Sequence, residues 1–285
     1  MRPRGNLYWS VRRELWENRS LYIAPLVAAG VMLLGLIMSS LHLPGEIPVP
    51  NPDKLRNAVV GVSLFIGILV VLTTALATAF YSLDALHSER RDRSILFWKS
   101  LPVSDFTTVL SKASIPFVIL PLIIFAITVL VQFLMLLWSS AVLLQSGLAG
   151  TTWTRFNLFQ QSLILLYSLI VIALWHAPIY GWALMISGWA RRATFLWAVL
   201  PLFAISILEK LAFDTSHFAS MLKDRVFGAG DTAFAFQPHR GVAIDSLVQL
   251  TPGRYLTTPG LWIGLAFAAA FVAIAVRQRR YRGPI

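Results

Sequence analysis

Long apolar runs separated by short charged stretches dominate the chain. Runs free of charged side chains cover 20–41, 57–83, 113–138, 161–189, 193–208 and 255–276. A helix needs about 20 apolar residues to cross roughly 30 Å of hydrocarbon. The pattern predicts an all-α integral membrane protein with six transmembrane helices, forming one domain over 1–285. The fifth run has only 16 residues and contains Pro201; Arg191 and Arg192 before it can snorkel to the interface.

The segments between the runs carry patterns of their own. Leu7, Tyr8, Val11, Leu15 and Trp16 recur at helical spacing, with Arg12, Arg13, Glu14 and Glu17 between them. This predicts an amphipathic helix over 7–19 lying in the membrane interface. Between runs two and three, Ser88 can cap a helix, Glu89 suits its first turn, and Pro102 stops it. A single helix over 88–102 is expected there, with Ser104 and Asp105 starting the next. Between runs five and six, the outer segment 209–254 holds the stripe Phe218, Met221, Leu222 and Val226, broken by Gly228 and Gly230. It predicts a partly embedded outer helix. The connection 42–56, with Pro44, Pro48, Pro50 and Pro52, is expected to be stiff and extended.

Composition agrees with the pattern: 57% of residues are hydrophobic, 13% are charged, and the mean hydropathy is +0.70. Soluble domains carry about 25% charged residues, so a standalone soluble enzyme, a disordered tail and a fibre are excluded. The net charge of +11 would suggest nucleic acid in a soluble protein. Here the basic residues flank the runs. The stretches 1–19, 84–112, 191–192 and 277–285 hold 16 of the 24, against 3 in the first two opposite loops. The positive-inside bias then places both termini in the cytoplasm and predicts no nucleic-acid partner. The first apolar run is long enough to stay in the bilayer, so no removable signal peptide is expected. Cysteine is absent, which leaves no disulfide and no thiolate metal site.

Chemistry-bearing positions are few. His176 is the one clearly intramembrane ionisable side chain, and such groups are functional candidates by default. A neutral histidine bonded to a carbonyl freed by Pro178 is the competing reading. No Gly-Lys pair exists, so a phosphate-binding Walker A loop is missing, and so is a His-Glu-x-x-His zinc motif. In the loop after run two, Ile95, Phe97, Trp98 and Leu101 form an apolar group beside Glu89, Arg90, Arg91 and Arg93. Apolar bulk in a charged loop reads as a docking surface.

The run ERRDRSILFWKSLPVSD, residues 89–105, closely resembles the coupling-helix region of permease subunits of the type-2 ATP-binding-cassette (ABC) exporter family. YWSVRRELWENRSLYIAPL, residues 8–26, is similar to that family's interfacial connecting helix entering its first span. The six-span layout and the outer helical segment also match, so the resemblance covers essentially the whole chain. It implies a membrane-spanning subunit in the cell membrane, bacterial inner membrane in family terms. Two such permeases, identical or similar, would flank a central path, each docked on a cytoplasmic ABC ATPase subunit. ATP and Mg would bind that partner; this chain would hold no cofactor, no metal and no catalytic residue, and would not itself be an enzyme.

In the same terms, Glu89, Arg90, Arg91, Arg93, Ile95, Phe97, Trp98, Leu101 and Pro102 would couple to the ATPase. The path would be lined by spans two and five, with Pro201 and Phe203 as lining candidates beside His176 and Tyr180 of span four. Three other readings stay open: a secondary transporter or channel, an intramembrane enzyme, and a membrane anchor. The first usually carries paired intramembrane charges or broken helices, and the second needs a nucleophile–base pair at one depth.

Overall fold

The chain enters through a bent pair of helices. α1 (Pro3–Glu17) and α2 (Ser20–Leu41) meet at 56° across Asn18 and Arg19. The Asn18 amide donates to the Glu14 carbonyl at 3.0 Å, closing the last turn of α1. The computed structural model describes residues 3–41, 52–101, 103–142, 156–235 and 246–285, with 144, 153 and 244. Pro102 and the connection 42–51 lie outside them. Pro52 opens α3 (Pro52–Asp84), so 52–56 is helical rather than extended.

After α3 come two short helices, α4 (His87–Arg91) and α5 (Ser94–Ser100). The single helix expected over 88–102 is therefore broken, with Arg93 left-handed at φ 57°. The reason is the side chains. Glu89, Arg90 and Ile95 all turn inward, yet on one straight helix they would point in three directions. α6 (Asp105–Ser114), a wide π-turn over Ile115–Ile119 and α7 (Leu120–Val142) form one long span. Ser104 caps it by accepting from the Thr107 amide at 3.1 Å.

Span four is interrupted where continuity was expected. α8 (Leu158–Trp175) ends and α9 (Ala177–Trp189) begins at His176. Pro178, lacking an N–H, sits in the first turn of α9. α10 (Thr194–Phe213) is longer than the 193–208 expected, because Glu209 and Lys210 continue the helix. The Glu209 carboxylate accepts the His217 and Phe218 amides, each at 2.8 Å. A charge read as a span end is thus a cap for α11 (His217–Phe227). α12 (Ala229–Ala233), an isolated bridge between Phe234 and Leu250, and α13 (Pro252–Thr257) complete the outer segment. α14 (Pro259–Tyr281) is the last span, shifted from the 255–276 expected.

Among the described residues there is no strand, and five helices are long and apolar enough to cross a membrane. Counted as one span, the bent pair α1–α2 brings the number to six. α1, the α4–α5 connection, residues 190–193 and residues 279–285 meet at one end of the bundle, the terminal end. The outer segment lies at the far end. There α12 and α13 pack on Val171 and Trp175 of α8 and on Leu261 of α14.

Small residues let α9 and α14 approach closely. A Cβ on Gly181 would lie 3.1 Å from the Ala268 carbonyl oxygen. α10 is the opposite case. Only Ala198 is buried in it, and Leu200, Phe203 and Ile207 face out of the chain. We expect Gly181→Leu to push α9 off α14 and cost about 1–3 kcal/mol. Gly253→Leu, with nothing within 4 Å of its Cβ, should cost nothing measurable. Thermal unfolding in detergent micelles checks the pair; equal melting of the two variants would contradict the packing argument.

Candidate functional site

Glu14 comes from the polar positions of the first amphipathic helix, yet its residue exposure is 0%. Its carboxylate meets Lys112 Nζ at 2.9 Å and Arg13 Nη2 at 2.8 Å, and accepts from the Tyr81 hydroxyl at 3.0 Å. Glu89 of α4 is the second buried carboxylate. It pairs with Lys112 and Arg13, both at 3.2 Å, and with Arg279 Nη1. Arg279 Nε lies 3.3 Å from the partly exposed Asp105. Three cations thus face three carboxylates where α1, α3, α4, α6 and α14 converge.

Burial dictates this arrangement. A lone ion inside a protein loses several kcal/mol of hydration, so each charge here keeps at least one opposite partner. The cluster ties α1 to the end of span two through Tyr81, to span three through Lys112 and to span six through Arg279. Val11 and Leu15 of α1 add apolar packing on Leu21, Tyr81 and Val109. The opposite face of α1 exposes Tyr8, Trp9 and Trp16. Arg12 stacks between the two tryptophans, 5.2 Å from one ring and 4.6 Å from the other. The face of α1 that packs is therefore narrower than the stripe expected, because Tyr8 and Trp16 stay out and Glu14 goes in.

The expected coupling residues divide into two sets. Glu89, Arg90 and Ile95 are buried and hold the loop in place. Arg90 donates to the carbonyls of Gly188 at 2.7 Å and Gly283 at 3.1 Å. Arg91 and Arg93 are exposed, and Arg91 pairs with Asp92 at 3.1 Å. Leu101 is half-buried. Trp98 lies edge-on to Phe97 at 5.0 Å and beneath the Arg13 guanidinium at 3.8 Å. It borders a groove of about 230 Å³ between α1 and α5, lined by Trp9, Arg13, Leu101 and Thr108 among others. Leu96 and Phe97 point outward, 59% and 60% exposed. The exposed tip is therefore Leu96–Phe97. The expected apolar group of Ile95, Phe97, Trp98 and Leu101 does not form one surface.

The expected path residues lie on two spans: His176 and Tyr180, with ring centroids 6.4 Å apart, on span four, and Pro201 and Phe203 on span five. Tyr180 is buried against Phe117, and it borders a small cavity of about 30 Å³ with Thr74 and Thr78 of span two. Pro201 and Phe203 belong to α10, and Phe203 faces out. His176 Nδ1 lies 2.9 Å from the Ile172 carbonyl oxygen, and Nε2 lies 3.1 Å from that of Val226. The ring thus bridges span four to α11 of the outer segment. Arg225 reinforces the joint by donating to the Trp175 and Gly260 carbonyls at 3.2 and 2.7 Å. Burial pulls this guanidinium below the ordinary arginine range. Gly264 makes its space: a Cβ there would collide with the Arg225 guanidinium.

Among the described residues no group of three or more His, Cys, Asp or Glu side chains could hold a metal ion. The chain matches no protein-family model, no curated protein and no solved structure. Glu14, Lys112 and Arg279 were missed by the sequence reading. Their only signal was position, each within a few residues of an apolar run.

Glu14→Gln should destabilise the chain by about 3–5 kcal/mol, because it leaves buried cations under-paired. Glu14→Leu combined with Lys112→Leu should lose less, because Glu89 keeps Arg13 and Arg279. Melting midpoints in the same detergent test the order. A double variant less stable than Glu14→Gln would show that the cluster does not act through charge pairing.

Proposed function

We propose that this chain is the membrane-spanning subunit of an ATP-driven ABC exporter, docking on a separate ATPase subunit through the α4–α5 connection. Both termini would then be cytoplasmic and the protein would sit in the cell membrane. The observation that carries the reading is an exposed apolar tip on a fixed base. Leu96 and Phe97 stand out from a connection otherwise nailed down by buried ion pairs. Burying such a side chain in a partner groove is worth roughly 1.5–3 kcal/mol, and large apolar anchors dominate interfaces.

The buried cluster supplies the coupling. A push on the tip by closing ATPase subunits reaches Glu89 directly. From there it passes to spans three and six through Lys112 and Arg279, and by way of Arg13 and Glu14 of α1 to Tyr81 of span two. ATP and Mg belong to the partner in this reading, since the chain has no Walker A loop. The outward face of α10 suits a second permease copy or lipid. The break at His176 is the feature that favours a secondary transporter. Against it, both ring nitrogens already face carbonyl oxygens, which supports a bracing role.

Two measurements test this. In the cysteine-free chain, Arg93→Cys should label from the cytoplasmic side and Asp231→Cys from the opposite side. Labelling of Asp231→Cys from the cytoplasm alone would overturn the orientation. With an ABC ATPase subunit co-expressed, Leu96→Ala combined with Phe97→Ala should weaken the complex about tenfold or more. Unchanged co-purification and ATP turnover in that double variant would remove the tip from the mechanism.

A further inference from the structure

At the terminal end, residues 189–192 and 281–285 enclose, with Arg90 and Trp197, a cavity of about 1170 Å³. Four arginines line it: Arg90, Arg191, Arg192 and Arg282. No acidic side chain does. Two of the four are anchored by carbonyls rather than by carboxylates. Arg90 donates to Gly188, Ala190 and Gly283, and Arg282 donates to Trp189 at 2.7 Å. Arg191 and Arg192 are exposed, and no ion pair or side-chain hydrogen bond engages them among the described residues. The charges of Arg282 and Arg191 act on Arg90, so the guanidiniums repel one another. Like charges gathered with no acidic side chain in the lining raise the local potential and attract an anion.

The rest of the lining narrows the class of anion. Trp189, Trp197 and Tyr281 contribute aromatic rings, with the two indoles edge-to-face at 4.7 Å. Aromatic rings among arginines are typical of the boundary between headgroups and hydrocarbon. Trp197 stands in the first turn of α10, and Leu200 and Phe203 farther along that helix are exposed. The cavity is far larger than a single phosphate ion needs, since a water molecule occupies about 30 Å³ of liquid.

We propose that this basin binds the phosphate headgroup of an anionic phospholipid, with the acyl chains lying along the exposed face of α10. The guanidiniums hold the phosphate oxygens in forked hydrogen bonds. Arg191 and Arg192 supply free donors, and Arg90 and Arg282 fix the walls. Basic pockets of this type between membrane helices are a recognised way to hold anionic headgroups. The inference needs only the membrane location and does not depend on which partner the Leu96–Phe97 tip meets.

The full chain in detergent micelles is titrated with dioctanoyl phosphatidylglycerol, dioctanoyl phosphatidylcholine or inorganic phosphate. Thermal unfolding and native mass spectrometry read binding. Phosphatidylglycerol should raise the melting midpoint and stay bound, while the other two do neither. Arg191→Gln combined with Arg192→Gln should fold normally, because both side chains are exposed and neither has a partner among the described residues, and should weaken phosphatidylglycerol binding about tenfold. Arg12→Gln, on the far side of α1, should leave binding unchanged. Equal stabilisation by phosphatidylcholine would overturn the proposal in favour of a nonspecific apolar groove. Equal binding of inorganic phosphate would make the basin a site for the free ion and overturn the lipid. A double variant that keeps phosphatidylglycerol but loses a co-purifying protein would overturn it in favour of an acidic protein surface.

Discussion

Charge inside a low-dielectric bundle must be paired, and this requirement organises the terminal end. Glu14 and Glu89 lie in the interior, and three cations from three separate segments come to them. The positions of α1, the α4–α5 connection and the last turns of α14 follow from that convergence. An apolar core would also hold these elements together, but it would tolerate sliding. Ion pairs with fixed hydrogen-bond geometry permit fewer alternative registers. The same constraint explains the break at Arg93, where the chain accepts a left-handed residue so that Glu89, Arg90 and Ile95 can all face inward.

The far end relies on backbone carbonyls together with the Glu209 cap, and not on buried ion pairs. His176 and Arg225 engage carbonyls at the interruption of span four, near the end of α11 and at the start of α14. This joint anchors the outer segment without an acidic partner. The bundle thus has an ion-paired end and a carbonyl-latched end, with small-residue packing of α9 on α14 between them. Within the chain α10 has little lateral cover, and Ala198 is its one buried residue.

The spans were legible because a run of apolar residues has one physical meaning at that length. The ends were less so. Lys112 and Glu209 looked like boundary charges, yet one is buried inside span three and the other extends α10 as a cap for the next helix. Sequence spacing could not reveal the role of Lys112, because its partner Glu14 is 98 positions away. Arg279 and Glu89 are 190 positions apart. The α4–α5 connection was recognisable as a special surface from Phe97 and its neighbours. Which residues formed that surface depended on the break at Arg93, which no turn residue announces. His176 stood out by its chemistry, but the helix break beside Pro178 was not expected from the unbroken apolar run.

The π-turn over Ile115–Ile119 has a consequence for span three as a whole. It adds residue length between two stretches of ordinary helix, so the stretches before and after it carry different rotational phases. Below the turn, the phase brings Lys112 to the ion pairs. Above it, the phase brings Ile124, Ile127 and Val131 to an apolar seam with Ala29 and Leu169. A uniform helix would have to compromise between those two demands. Span three behaves instead as two spliced rods, and the splice lets the charged end be tuned without re-phasing the apolar one.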